Sequence, residues 1–126
     1  MKLITYKIQN SESHQIGVVE DNLIYNLNNY FGDISLVDMF QVENYQDQIA
    51  LHICNDDCVK HDFEDINLLP PIPNPTSFRD AYSFRQHVET SRKNRGLNMI
   101  SEFDQFPVFY FSNHNTMFAD GEEIKL

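Results

Sequence analysis

The residues best suited to chemistry lie in the run from Arg79 to His87, which combines a carboxylate, a phenol, a guanidinium and an imidazole. Read as a helix, this run puts Asp80, Phe84 and His87 at positions i, i+4 and i+7, on one face. A rise of about 1.5 Å per residue separates the acid and the base by about 10 Å along the axis. Such a pair can flank a substrate, with the carboxylate on a metal ion and the imidazole near the bond that breaks.

The elements that must position this run begin with a β-rich stretch. From Lys2 to about Leu27, apolar residues alternate with polar ones or flank a polar turn at 20–22, which predicts strands. From Ser35 to about Ile53 the pattern predicts one or two short helices. A capping box with Asp in place of Glu begins the first helix, and its predicted buried residues are Leu36, Met39 and Phe40.

A proline-rich segment separates this part from the candidate residues. Four of the five prolines fall within 70–75, so that stretch is neither regular helix nor central strand. We therefore predict an amino-terminal β-rich domain at 1–67, a hinge at 68–77 and a second domain at 78–126.

The second domain is predicted to begin with a single long helix. Ser77 can cap a helix from Phe78 to about Arg95, which Gly96 would stop. A loop at 97–106 precedes a short apolar strand at 108–111, and a turn at 120–121 leads into a further strand. The fold class predicted for the whole chain is α+β.

Composition limits the classes of partner. The 126-residue chain has a net charge of −10, which argues against nucleic acid or an anionic membrane as partners because both demand a basic face. No apolar run approaches the ~20 residues needed to span a bilayer, and the start lacks the pattern of a signal peptide. We therefore expect a soluble cytoplasmic protein.

The basic residues are concentrated near the candidate site. Five of the nine lysines and arginines lie within 79–95. This cluster can steer an anionic small molecule, or it can be a solvated helix face balanced by Glu89 and Glu102.

A second group of possible metal ligands lies upstream, at His52, Cys54, Cys58 and His61. Structural zinc sites generally use two separated ligand pairs, so that the chain can wrap around the metal. Here all four residues lie in one compact run. The spacing therefore favours two reduced structural cysteines over a zinc site, and a disulfide is disfavoured in a cytosolic protein.

Four segments resemble the fumarylacetoacetate hydrolase family: the opening 1–6, the proline-rich stretch 69–75, the Arg-Asp-x-Tyr-x-Phe-x-Gln-His run at 79–87, and 106–113. The resemblance runs in order along the chain. It implies that a small amino-terminal domain is followed by a lid-type helix and by the first strand of a β-rich catalytic domain. Most of that catalytic domain would continue beyond Leu126.

The resemblance implies a role for five side chains. Asp80 matches the first carboxylate ligand of a divalent metal, and His87 matches the catalytic histidine that activates water. Tyr82 and Tyr110 match positions that line the substrate pocket, and Arg95 lies near an arginine that meets a substrate carboxylate. By residue type alone, Asp80 could instead offset a helix dipole and His87 could be an ordinary hydrogen-bonded residue.

The implied cofactor is Mg²⁺, Mn²⁺ or Ca²⁺, a hard cation that needs several oxygen ligands. The chain contains no Glu-x-Glu pair, so the remaining ligands are expected downstream of Leu126. The implied reaction is hydrolytic cleavage of a carbon–carbon bond in a small anionic β-diketo or acylpyruvate-type acid, carried out by a homodimer.

Two hypotheses from different classes follow. In the first, the chain is the amino-terminal part of such an enzyme and is inactive alone. In the second, it is a non-catalytic remnant that serves as a binding or oligomerisation module, because an uncovered strand edge at 108–111 would need a partner.

Overall fold

The computed structural model describes residues 1–124, which combine helices and strands in the α+β class that the sequence predicts. The chain divides into two compact units. The sheet unit comprises Met1–Pro73 and the chain from Met117 onward, and the hairpin unit comprises Asn74–Thr116. The division falls inside the proline-rich segment, but the residues after Thr116 belong to the sheet unit rather than to the predicted second domain 78–126.

The described residues of the sheet unit form one antiparallel sheet with the strand order β4-β3-β2-β1-β5. The predicted β-rich start and two short helices are present, and two late strands that the sequence pattern does not predict complete the sheet. The elements are β1 (Lys2–Ile8), β2 (Gln15–Glu20), β3 (Leu23–Asn26), α1 (Asn28–Phe31), α2 (Leu36–Met39), α3 (Tyr45–Ile53), β4 (Lys60–Asp62) and β5 (Ile66–Leu69).

The turn between β2 and β3 fixes the register of the central hairpin. Asp21 and Asn22 adopt φ values of 49° and 63°, and Glu20 pairs with Leu23. Two left-handed residues between paired strands form the turn whose twist matches that of a hairpin, and Asn and Asp tolerate this conformation well. The predicted turn at 20–22 is therefore present.

Apolar side chains cover both faces of the sheet. On one face, Ile16 and Val18 pack with residues of α2 and α3. On the other face, Tyr6, Ile24 and Ile66 form a second buried cluster. Gly17 makes this second cluster possible, because a Cβ there would lie 2.8 Å from Ile24 Cγ2 and 3.0 Å from Tyr6 Cε1.

The capping box that begins α2 is present as predicted. The Ser35 hydroxyl accepts from the Asp38 backbone N–H, and the Asp38 carboxylate accepts from the Ser35 backbone N–H. The Ser35 hydroxyl also donates to the Asp38 carboxylate, and this bond together with the one from the Ser35 N–H favours the ionised form and lowers the pKa of Asp38. Leu36 and Met39 are buried as predicted, but Phe40 is exposed, because it lies at the carboxyl end of this one-turn helix.

The hairpin unit departs from the prediction at its start. The segment predicted as one helix from Phe78 to Arg95 instead forms strand β6 (Phe78–Ala81), a three-residue link and helix α4 (Arg85–Asn94). The cause is antiparallel pairing between β6 and β7 (Phe109–Ser112). Ser77 is therefore not a helix cap, and Asp80, Phe84 and His87 do not share a helix face.

The carboxyl end of α4 agrees with the prediction. Gly96 has φ +71°, and its N–H donates to the carbonyl of Lys93, while the N–H of Leu97 donates to that of Arg92. These two bonds form a Schellman motif, which glycine permits because it adopts the left-handed conformation without strain. Arg92 and Lys93 occupy the last turn, where the helix dipole favours positive charge.

The chain after α4 follows the prediction only in part. A 3₁₀-helix at Ser101–Asp104 replaces part of the loop predicted at 97–106. A turn occurs at 120–121, but residues 122–124 do not form the predicted strand; Lys125 and Leu126 lie outside the described residues. Within residues 1–124, every helix is too short or too polar to cross a membrane.

Candidate functional site

Three of the five candidate residues share one face of the β6–β7 hairpin. Asp80 pairs directly with Tyr110 in the register of the two strands, and directly opposed residues project to the same face. Tyr82 lies two residues after Asp80, and its N–H donates to the carbonyl of Val108, so the ladder continues past the end of β6. Because side chains alternate along a strand, Tyr82 projects to the same face as Asp80.

The opposite face of the hairpin carries a different chemistry. The Arg79 guanidinium lies 5.4 Å from the ring centroid of Phe109 and 4.9 Å from that of Phe111. A guanidinium over aromatic rings gains electrostatic and packing energy. Arg79 therefore stabilises the hairpin from the side away from Asp80, which leaves the carboxylate face free of this cation.

His87 and Arg95 lie on α4, in the same unit. His87 is exposed in the first turn, and Arg95 is exposed at the C-cap. Eight helical steps of about 1.5 Å separate the two positions by about 12 Å along the axis. The described structure thus places an imidazole and a guanidinium at opposite ends of one short helix.

The 3₁₀-helix Ser101–Asp104 contacts both the hairpin and α4. The ring of Phe103 meets that of Tyr82 edge to face at 6.4 Å between centroids. The Asp104 carboxylate forms an ion pair with Arg85 at the start of α4. An open groove of about 430 Å³ lies beside these residues and is lined by Ala81, Tyr82, Ser83 and residues 103–109.

Sequence reasoning finds the candidate side chains but misses the residues that hold them. Arg85 belongs to the recognised run without an assigned role, and Phe103 and Asp104 fall in a segment predicted as loop. No local pattern marks Phe103 and Asp104, because their contacts are with Tyr82 and Arg85, which lie far upstream in the sequence.

Two of the four upstream residues, His52 and Cys58, form a buried polar cluster with the backbone of the sheet unit. Cys58 Sγ lies 3.1 Å from His52 Nε2, which lies 2.9 Å from the carbonyl oxygen of Asn26. Burial raises the pKa of the Cys58 thiol, although the charge of Lys60 opposes the shift. This shift favours the thiol form over the thiolate, which is the reactive nucleophile. Cys54 is exposed and both thiols are free.

Tyr6 extends this cluster on the second face of the sheet. Its hydroxyl accepts a hydrogen bond of 2.8 Å from Asn26 Nδ2. Burial raises the pKa of Tyr6 to about 12, against the opposing effect of this hydrogen bond. The ring of His61 lies 5.8 Å from that of Tyr6, with Nε2 buried and without a hydrogen-bond partner.

Metal ligands do not cluster within residues 1–124: no three His, Cys, Asp or Glu side chains converge there. Asp80 is an exposed carboxylate on a strand, so it can supply one oxygen ligand to a hard cation. The His52–Cys58 pair, which is the closest thiol–imidazole contact described, does not extend to a third ligand.

Comparison with known proteins adds no relative to this picture. No protein-family model, curated protein or solved structure matches the chain. The functional assignment therefore rests on the motif resemblance and on the geometry of the hairpin unit.

Proposed function

We propose that the chain is the amino-terminal part of a cytoplasmic, homodimeric enzyme that resembles fumarylacetoacetate hydrolases and cleaves a carbon–carbon bond in a β-diketo or acylpyruvate-type acid. The observation that supports this proposal is the shared face of Asp80, Tyr82 and Tyr110 on the β6–β7 hairpin. A carboxylate between two phenols combines one metal-ligand oxygen with two groups that can donate hydrogen bonds to substrate oxygens.

The metal in this proposal is Mg²⁺, Mn²⁺ or Ca²⁺. Asp80 fits such a cation as an exposed hard oxygen ligand, and the further ligands would come from outside residues 1–124. When bound, a divalent cation polarises a carbonyl and lowers the energy of negative charge that develops on oxygen.

His87 is the general base of the proposed reaction. An imidazole has an ordinary pKa near 6.5, so at neutral pH it can take a proton from a water molecule and later return it. Its exposed place in the first turn of α4 leaves it accessible to water and substrate. The proton passes from water to His87 as the hydroxyl adds to the substrate carbonyl.

Arg95 and the two tyrosines bind substrate in this proposal. The Arg95 guanidinium pairs with the terminal carboxylate of the keto acid, since its planar fork matches a carboxylate. Tyr82 and Tyr110 donate hydrogen bonds to the oxygens of the diketo group. The five basic residues of the hairpin unit would favour an anionic substrate.

The first experiment is to measure the mass of the native polypeptide with an antibody raised against this chain. The 126 residues account for 14.8 kDa. A clearly heavier polypeptide would then be purified and assayed for loss of an acylpyruvate with and without added Mg²⁺ or Mn²⁺. Metal-dependent cleavage supports the proposal, whereas a heavier protein without cleavage of any acylpyruvate contradicts it.

Substitution of His87 tests the assigned chemistry in that polypeptide. We expect His87→Ala to lower kcat by about 10²–10⁴-fold, the usual contribution of a positioned general base, while metal binding measured by calorimetry is retained. The matched control is His14→Ala, which removes an exposed imidazole from the sheet unit and should leave kcat unchanged. Unaltered turnover in His87→Ala would exclude the general-base role.

One observation favours the second candidate function, a binding or oligomerisation module. The β7 side chains Phe109, Tyr110 and Phe111 are 42%, 72% and 62% exposed, and a two-stranded ribbon is marginally stable without a further strand or packing partner. A native polypeptide of 14.8 kDa that forms a defined oligomer would favour this function over the enzyme.

A further inference from the structure

The start of α4 lacks the features that normally fix a helix amino terminus. Its N-cap, Phe84, makes no side-chain capping bond, and the first turn contains no acidic residue. The first residue is instead Arg85, whose positive charge is unfavourable at the amino-terminal end of the helix dipole. His87 lies in this same turn, so the position of the proposed base depends on what holds an uncapped helix end.

The contact that compensates comes from the 3₁₀-helix. Asp104 forms an ion pair with Arg85, and this carboxylate supplies the negative charge that the first turn lacks. The adjacent Phe103 meets Tyr82 edge to face. Two neighbouring side chains of one short element thus contact the helix that carries His87 and the strand end that carries Tyr82.

We infer that Asp104, acting through Arg85, is a positioning residue that orders the first turn of α4 and thereby sets the place of His87. Its catalytic consequence rests on the proposed function, whereas the ordering of the turn does not. The ion pair is solvent-exposed, with 53% and 64% of the two side chains accessible, so its effect on overall stability is small. Its effect is on local geometry.

Amide hydrogen exchange measures this ordering without any assay of activity. The Val88 N–H donates to the Phe84 carbonyl and is the first intrahelical bond of α4. We expect Asp104→Asn to speed exchange at Val88 by about two- to fivefold, the range for loss of an exposed ion pair, because it leaves the Arg85 charge uncompensated at the helix amino terminus. In an Arg85→Gln background the same Asp104→Asn change should leave exchange at Val88 unaltered, because the carboxylate acts through Arg85.

The matched control is Glu102→Gln, which removes a negative charge from the same 3₁₀-helix. The Glu102 carboxylate accepts from Ser101 Oγ rather than from an arginine, so exchange at Val88 should not change. The amide of Leu97, at the other end of α4, serves as an internal reference in every variant. Additive effects of the Arg85 and Asp104 changes, or equal effects of Glu102→Gln, would overturn the inference.

Kinetics of the native polypeptide separate positioning from general stability. We expect Asp104→Asn to lower kcat by about two- to tenfold, since small displacements of a catalytic group slow the chemical step. KM for the acylpyruvate should be unchanged, because Arg95 and Asp80 are not altered. A wild-type protein without turnover would refute the proposed function, and the exchange data would still decide whether Asp104 orders the turn.

Discussion

The sheet unit has a core of buried apolar side chains, whereas the hairpin unit leaves most of its large apolar side chains exposed. Eleven of the buried core residues belong to the sheet unit, while Val88 is the one fully buried residue within 74–116. The hairpin unit contains seven exposed large apolar residues: Phe78, Phe84, Leu97, Phe106, Phe109, Tyr110 and Phe111. The hairpin unit therefore has little buried core of its own.

The two units also differ in net charge. The sheet unit contains fifteen acidic and four basic residues, and the hairpin unit contains four acidic and five basic residues. The net negative charge of the chain therefore arises in the unit without the candidate site. An anionic ligand would find a far less repulsive field at the hairpin unit, which agrees with the proposed keto acid substrate.

The largest expected effect is on the core of the sheet unit. Leu27 is fully buried in the cluster between the sheet and the helices. We expect Leu27→Ala to lower the free energy of unfolding by about 2–5 kcal/mol, because it removes buried methyl groups and leaves a cavity. Urea unfolding followed by circular dichroism measures this loss.

Two leucines provide matched controls for that substitution. Leu97 in the hairpin unit is 49% exposed and Leu51 on α3 is 74% exposed. We expect the alanine variant of each to lose less than about 1 kcal/mol. A loss at Leu97 as large as that at Leu27 would mean that the hairpin unit has a substantial core of its own, and the comparison between the units would fail.

The sequence predicts most of the first three strands of the sheet unit but not the first strand of the hairpin unit. Local patterns predict β1, β2 and β3, the capping box at Ser35 and the Schellman stop at Gly96, since each depends on neighbouring residues. Strand β6 is not predicted from the sequence, because the strand with which it pairs lies roughly thirty residues further along the chain. Local propensity cannot report a partner at that distance.

The candidate site is predictable to a similar extent. The motif names Asp80, Tyr82 and His87 from residue type and order alone. The face that Asp80 and Tyr82 share with Tyr110 depends on the β6–β7 pairing, which replaces the predicted helix over Phe78–Ala81. Asp104 and Phe103 are supports whose roles arise only from three-dimensional contacts, and no local pattern distinguishes them from loop residues.

The buried phenol of Tyr6 in the sheet unit is expected to lower the free energy of unfolding at alkaline pH. This effect is smaller than that of Leu27→Ala. Tyr6 has its pKa raised from 10.0 to about 12 by burial, so the folded state keeps a proton that the unfolded state releases near pH 10. Above pH 10 the unfolded state binds fewer protons and is favoured. The contribution of protonated Tyr6 to the free energy of unfolding is therefore fully present below pH 10. It decreases as the pH rises from about 10 to about 12, and no further loss is expected at higher pH.

Tyr6→Phe isolates this contribution. We expect the alkaline decrease in unfolding free energy to be smaller in Tyr6→Phe than in wild type by about 1–2 kcal/mol, since one pKa unit corresponds to about 1.4 kcal/mol and solvent screens part of it. Asn26 Nδ2 keeps its bond to Gln15 Oε1 in the variant. The control is Tyr110→Phe, in the exposed strand of the hairpin unit, and an equal change there would contradict the assignment to a buried phenol.

The smallest expected effect concerns the face of the hairpin opposite Asp80. Removing the Arg79 guanidinium from above Phe109 and Phe111 should weaken β6–β7 pairing by about 0.5–1 kcal/mol, the usual value for an exposed cation–π contact. Hydrogen exchange at the Tyr82 N–H, which bonds to the Val108 carbonyl, would accelerate in Arg79→Met. Arg79→Lys keeps the charge but lacks the flat guanidinium, so its exchange rate should fall between those of Arg79→Met and wild type.

Amides of β2 in the sheet unit should not respond to either change, because their protection arises from a separate core. A response of β2 equal to that of Tyr82 would show that the two units open together, and the contrast drawn from burial would then describe side-chain exposure but not independent stability.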